Sequence, residues 1–96
     1  MDVKNLEMIV AEIIGTVMKK NAAYGNAFED DLNEYGLKAA AIQMGHKMKR
    51  LKTLAMDTNI SDNGESIADS IADLIGYGLL TLDWISREKK KINFNE

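Results

Sequence analysis

The 96-residue chain contains neither cysteine nor proline. Without cysteine there are no disulfides, thiolate metal sites or thiol nucleophiles, as suits a reducing cytosol. A single histidine, His46, rules out any site that needs two. No apolar run approaches the roughly 20 residues of a membrane span. The opening stretch MDVKNLEMIVAEII is broken by Glu7 and Glu12, unlike a signal peptide. The net charge of −3, from 12 basic and 15 acidic residues, gives no bulk attraction to long nucleic acid or to an anionic membrane. These absences lead us to expect a cytoplasmic protein with no membrane partner, whose phosphate ligands, if any, are captured locally.

The residues that are present favour helix. Leucine, isoleucine, alanine and methionine dominate the apolar set, and valine and aromatics are few. The chain length allows one compact domain with a thin core, so the expectation is a single all-α domain over 1–96. Val3, Leu6, Ile9, Val10, Ile13, Ile14 and Val17 recur at helical spacing and predict a first helix over about 3–20. In NAAYGNAFEDDLNEYG, Asn21, Gly25, Asn26, Asn33 and Gly36 interrupt the pattern and predict a long loop with room for at most a short helical turn near 27–32. A connection of that length is often functional. A second helix is expected over 37–56, with Leu37, Ala40, Ala41, Met44, Met48, Leu51 and Ala55 on one face. Ser61, Asp62 or Asn63 would cap a third helix over about 64–89, and the tail at about 91–96 is expected to fray. The architecture expected is three main helices and one long loop.

The third of these helices carries the chemical signal. In GESIADSIADLIGYGLL, Glu65, Asp69 and Asp73 fall four residues apart. Like charges at that spacing repel by a few tenths of a kcal/mol unless something cationic faces them. Around the helix, Ile67, Ile71, Leu74, Ile75, Gly78, Leu82 and Ile85 form one arc, the expected core face. The acids form another arc, which also holds Gly76, Leu80 and Trp84 with Tyr77 at its edge. Leu80 and Trp84 are poor choices for a face that meets only water, so a second subunit or a ligand is expected to cover it.

Two explanations of the acids stand side by side. Carboxylates at this spacing lie roughly 6 Å apart and suit Mg²⁺, which takes carboxylate oxygens together with water and substrate phosphates. Alternatively, Glu65 and Asp69 complement the helix dipole and Asp73 pairs with a lysine. In the second helix Gln43, Lys47, Arg50 and Leu54 form a stripe beside the apolar face. Lys47 and Arg50 can therefore hold phosphate oxygens or neutralise Asp69 and Asp73. Tyr24, Phe28 and Tyr35 lie in the long loop, and aromatics beside a phosphate site suit base stacking. The bland use of Phe28 is to plug the end of the bundle.

Three blocks in order, KNAAYGNAF (Lys20 to Phe28), KMKRL (Lys47 to Leu51) and ESIADSIADLIGYGLL (Glu65 to Leu80), resemble the phage nucleotide modification-associated domain family, which is similar to the MazG-like all-α nucleoside triphosphate pyrophosphatases. The resemblance spans most of residues 19–82. It implies a MazG-like bundle completed by homo-oligomerisation, which binds a nucleotide with its phosphates turned toward acidic residues through Mg²⁺. Glu65, Asp69 and Asp73 would stand for the second metal-binding acidic pair of MazG-like enzymes, at a spacing of four where that family has three. For the first pair the candidates are Glu29, Asp30, Asp31 and Glu34, since the helix over 37–56 contains no acid.

Together these readings lead us to expect a nucleotide-binding helical homo-oligomer. Glu65, Asp69 and Asp73 would serve Mg²⁺ or polar ligand groups, Lys20, Lys47 and Arg50 would contact phosphates, and Tyr24, Tyr77 or Trp84 would stack on the base. The enzymatic version is a Mg²⁺-dependent pyrophosphohydrolase. The alternatives are a non-catalytic phage protein that sequesters a nucleotide immune signal, and a protein-interaction module built on Leu80 and Trp84.

Overall fold

The computed structural model describes residues 1–24, 26–56 and 65–89, apart from the side chains of Glu65 and Lys89. The cap candidates Ser61, Asp62 and Asn63 and the tail at 91–96 lie outside that range. The described residues form four helices and no strand: α1 (Val3–Tyr24), α2 (Ala27–Tyr35), α3 (Leu37–Met56) and α4 (Glu65–Lys89). None of them is long and apolar enough to cross a membrane.

α1 begins at a side-chain cap, where the backbone N–H of Asn5 donates to Asp2 Oδ1 at 3.1 Å and satisfies one of the free donors of the first turn. Its far end is closed by the N–H of Asn26, which donates to the Asn21 carbonyl at 3.3 Å while Asn26 itself adopts a left-handed conformation with φ 61°. A second positive φ, 69° at Gly36, turns the chain from α2 into α3, and the Gly36 N–H donates to the Leu32 carbonyl at 2.8 Å. Glycine suits that position because it carries no Cβ penalty there.

Between those two turns the chain forms a full nine-residue helix where the sequence suggested a loop. Asn26 and Gly36 mark its ends, and Asn33 lies within it. The helix is held by tertiary packing. Phe28 and Leu32, one turn apart, are both buried, and with Ala39 and Ala40 of α3 they make the core cluster. Tyr77, Leu80 and Trp84 of α4 pack against that cluster. The Phe28 and Tyr77 rings meet edge to face with centroids 4.8 Å apart. Trp84 Nε1–H donates to Asn33 Oδ1 at 2.9 Å, and Arg87 pairs with Glu29 of α2 and with Asp83 of its own helix.

This packing rotates the inward face of α4 away from the one expected, of which Ile67, Leu74, Gly78 and Ile85 stay half-buried. Ile71, Ile75 and Leu82 are 41%, 40% and 42% exposed, whereas Ser70, Gly76 and Thr81 are buried. The arc that carries Asp73, Gly76, Leu80 and Trp84 is the one turned inward. The cover anticipated for Leu80 and Trp84 comes from α2 of the same chain. Gly76 has a steric reason to face in, because a Cβ there would lie 3.0 Å from Val17 Cγ2 of α1. The main seam joins α3 to α4, which run antiparallel: Arg50 meets Ser70 and Lys47 meets Asp73.

α1 packs chiefly on α4 and buries only Ile13 fully. Val3, Leu6, Ile9, Val10 and Ile14 remain exposed. The Cα radius of gyration is 15.0 Å.

Leu32 is 1% exposed, and it joins α2 to both α3 and α4 through the core cluster. Leu32→Ala is expected to lower unfolding free energy by about 2–5 kcal/mol, the range for a truncated buried leucine. In urea denaturation followed by circular dichroism, Ile42→Ala, at an exposed position of α3, should change it by about 0.5 kcal/mol or less.

Candidate functional site

Asp73 sits at the meeting point of three helices. Lys20 of α1 reaches its Oδ1 at 3.0 Å and Lys47 of α3 reaches its Oδ2 at 2.9 Å, so each carboxylate oxygen has an ammonium partner on a different helix. One turn earlier on α4, Ser70 is 1% exposed. Its Oγ accepts from Arg50 Nε–H at 3.1 Å and donates to the Ser66 carbonyl at 2.8 Å. The terminal N–H groups of the Arg50 guanidinium, a planar fork that matches two phosphate oxygens, have no partner among the described residues. Two ammonium groups thus bracket one carboxylate, with a guanidinium on the serine one turn away.

This cluster lines a cleft of about 790 Å³. α1 contributes Glu12, Ile13, Thr16, Val17, Lys20, Asn21 and Tyr24. α2 contributes Ala27, Phe28 and Asp31, and α3 contributes Gln43, Lys47 and Arg50. From α4 come Asp69, Ser70, Ala72, Asp73, Gly76, Tyr77 and Leu80. Along α4 the lining runs from Asp69 to Leu80, roughly 16 Å at 1.5 Å per residue. It is polar in character at one end, where Arg50, Ser70, Lys47 and Asp73 meet, and aromatic at the other, where Phe28 contacts Tyr77 beside Leu80.

Of the residues singled out in the sequence, Lys20, Tyr24, Lys47, Arg50, Asp69, Asp73 and Tyr77 come together in this cleft. Trp84 does not line it; its ring lies against the core cluster and its N–H is committed to Asn33. The side chain of Glu65 lies outside the described residues. Ser70, Gln43, Asn21, Thr16 and Glu12 join the lining without having been singled out as ligand groups. For Ser70 the available signal was its position one residue after Asp69 and one turn before Asp73; for Gly76 it was a residue without a side chain on an otherwise occupied arc.

Of the three acids proposed for Mg²⁺, the side chains of Asp69 and Asp73 are described and that of Glu65 is not. Both oxygens of Asp73 are engaged by lysines, and no group of three or more histidine, cysteine, aspartate or glutamate side chains among the described residues is placed to hold a metal. A cation at Asp73 would have to displace two ammonium groups already in contact.

Burial is the largest single influence on the Asp73 carboxyl and pushes its pKa up. The hydrogen bonds from Lys47 and Lys20, with their charges, outweigh it and hold the group below the usual carboxylate range. Lys20 is raised above its ordinary value, chiefly by the hydrogen bond to Asp73, against a smaller lowering from burial.

A depressed folded-state pKa means that the ionised tie stabilises the fold above the unfolded carboxyl value of about 3.9 and is lost as pH falls through the lower folded value. Urea midpoints of the parent and of Asp73→Asn are expected to differ near pH 7 and to converge below about pH 4. A difference that stays constant down to acid pH would mean that the tie does not contribute through its charge. No protein-family model, curated protein or solved structure matches the chain.

Proposed function

We propose that the chain is a nucleotide-binding helical protein that works as a homo-oligomer and holds its ligand without a metal ion. The observation that carries this reading is the pairing of Lys20 and Lys47 with one carboxylate beside Arg50, in a cleft whose other end is aromatic. Phosphates are bound by cations fixed in advance, and Asp73 fixes two of them. Tyr24 and Tyr77 offer ring surfaces on which a base can lie, with Phe28 buried behind Tyr77. The resemblance to the phage nucleotide modification-associated family supports the same ligand class.

Binding without turnover is the version that the geometry favours. Hydrolysis between phosphates by MazG-like chemistry needs carboxylates free to carry Mg²⁺. Here Asp73 is committed to lysines, and Asp69 is the other described acid of the line. A protein that sequesters a nucleotide signal needs only the cations and the stacking surface. In isothermal titration with EDTA present, a nucleoside phosphate is expected to bind. Arg50→Ala should weaken that binding by roughly ten- to hundredfold, the usual cost of a lost charge-assisted hydrogen bond. Chromatography should return the nucleotide intact; Mg²⁺-dependent release of pyrophosphate would instead establish the enzymatic version.

Exposure along α1 supports the oligomer. Leu6, Ile9, Val10 and Ile14 form an apolar stripe that the described residues leave exposed, and soluble monomers rarely keep such a face open to water. Light scattering coupled to gel filtration is expected to give a mass at least twice 10.7 kDa. Val10→Glu should reduce it to that of one chain without loss of helical circular dichroism. A parent protein that runs as a monomer at micromolar concentration would remove the oligomer from the proposal.

A further inference from the structure

Asp31 is the one acid that α2 brings into the cleft, and it stands where the chemistry of a base would be read. It is half-buried, it lies on the same helix one turn after Phe28, and the Phe28 ring meets Tyr77. The cationic cluster around Ser70 and Asp73 occupies the other end of the lining. Among the described residues no ion pair engages Asp31: the four that form use Asp73, Glu29 and Asp83 as their acids. A carboxylate that lines the cleft with no ion-pair partner among the described residues accepts hydrogen bonds from a ligand that brings donors to it.

An ionised carboxylate only accepts hydrogen bonds, and its two oxygens suit two parallel N–H donors. Of the common nucleobases, only guanine presents two neighbouring donors on its pairing edge, the ring N1–H and the exocyclic N2–H. Adenine sets its N6 amine beside the bare N1 lone pair, and cytosine sets its N4 amine beside the bare N3. Uracil and thymine flank a single N–H with two carbonyls. Against Asp31 each of these places an acceptor next to a carboxylate oxygen, which is repulsive in a partly desolvated site.

Resting on the nucleotide-binding reading above, we infer that Asp31 selects guanine, by accepting N1–H and N2–H from a base held against Tyr77 while the phosphates lie toward Lys47 and Arg50. Asp31 is then a specificity residue, separate from the cations that supply phosphate affinity. Selection and affinity are therefore separable by mutation.

The experiment is isothermal titration of the full chain with GDP, IDP, ADP and UDP. IDP is the informative probe, because its base differs from guanine only by loss of the 2-amino donor. GDP is expected to bind at least roughly tenfold more tightly than IDP, and more tightly still than ADP or UDP, from one lost charge-assisted hydrogen bond. Asp31→Asn, whose amide keeps the shape and loses the charge and one acceptor, should bring GDP and IDP within about threefold of each other, with retention of binding sensitive to Arg50→Ala. Asp31→Ala, checked by circular dichroism, should do the same if the asparagine variant folds poorly. Equal affinity of the parent for all four diphosphates would overturn guanine selection and leave nucleotide binding intact, as would a preference that survives both variants. Failure of all four to bind would remove both the selection and the nucleotide reading beneath it. Tighter binding of an arylalkylammonium such as phenethylamine than of GDP, lost in Asp31→Asn, would assign the carboxylate to a cationic ligand and likewise overturn the inference.

Discussion

The arrangement of the cleft depends on one carboxylate with two ammonium partners from different helices. Asp73 projects from the inward arc of α4, and without Lys20 and Lys47 it would be a partly desolvated charge with no compensation, a costly thing for a small domain. With them it ties α1 and α3 to α4 at the same level. The two contacts differ in character. Lys47 is 28% exposed and lies on the α3–α4 seam, whereas Lys20 is 56% exposed and reaches in from α1. Solvent screens the Lys20 contact more, so its part is better described as placing α1 than as stabilising the fold by a large amount.

The rest of the architecture follows from how little else holds α1. It packs tightly on α4 at Gly76, where the missing side chain leaves room for Val17 and Ile13. On the opposite side of the cleft the core is of a different kind: Phe28, Leu32, Ala39 and Ala40 with Tyr77, Leu80 and Trp84 pack α2, α3 and α4 into one apolar unit. The cleft is the gap between that unit and α1. It stays open because the contacts that span it are polar and long-reaching on the Lys20 side and apolar only near Gly76.

Element type was legible in the sequence, and element faces were not. The period of apolar residues in 37–56 and in 64–89 predicts α3 as it stands and α4 to within one residue, because a helix needs only its periodicity to be visible. α2 was hidden because Asn26, Asn33 and Gly36 read as breakers. What secures it is tertiary, the insertion of Phe28 and Leu32 against α3 and α4. The face of α4 was misread for the same reason. A hydrophobicity ranking puts Ile71, Ile75 and Leu82 inside, but Ser70 is satisfied by Arg50 and by the Ser66 carbonyl, and Asp73 by two distant lysines. No local pattern reports partners that arrive from other helices. The cleft residues were legible in part because Asp69 and Asp73 on one helix, and Lys47 and Arg50 on another, recur at helical spacing; Trp84 was placed with them only because it shares the arc of the acids.

The proposed oligomer and the proposed ligand are coupled through α1. That helix lends Thr16, Lys20 and Tyr24 to the cleft nearer its C-terminus and leaves Leu6, Val10 and Ile14 exposed nearer its N-terminus. Its hold on the remaining helices is modest, so whatever fixes its position for one purpose fixes it for the other. A partner chain that covers the apolar stripe restricts the positions from which Lys20 can reach into the cleft, and a phosphate gripped by Lys20 restricts the surface offered to a partner. By linkage the two effects are equal in free energy: if assembly tightens ligand binding by some factor, the ligand tightens assembly by the same factor.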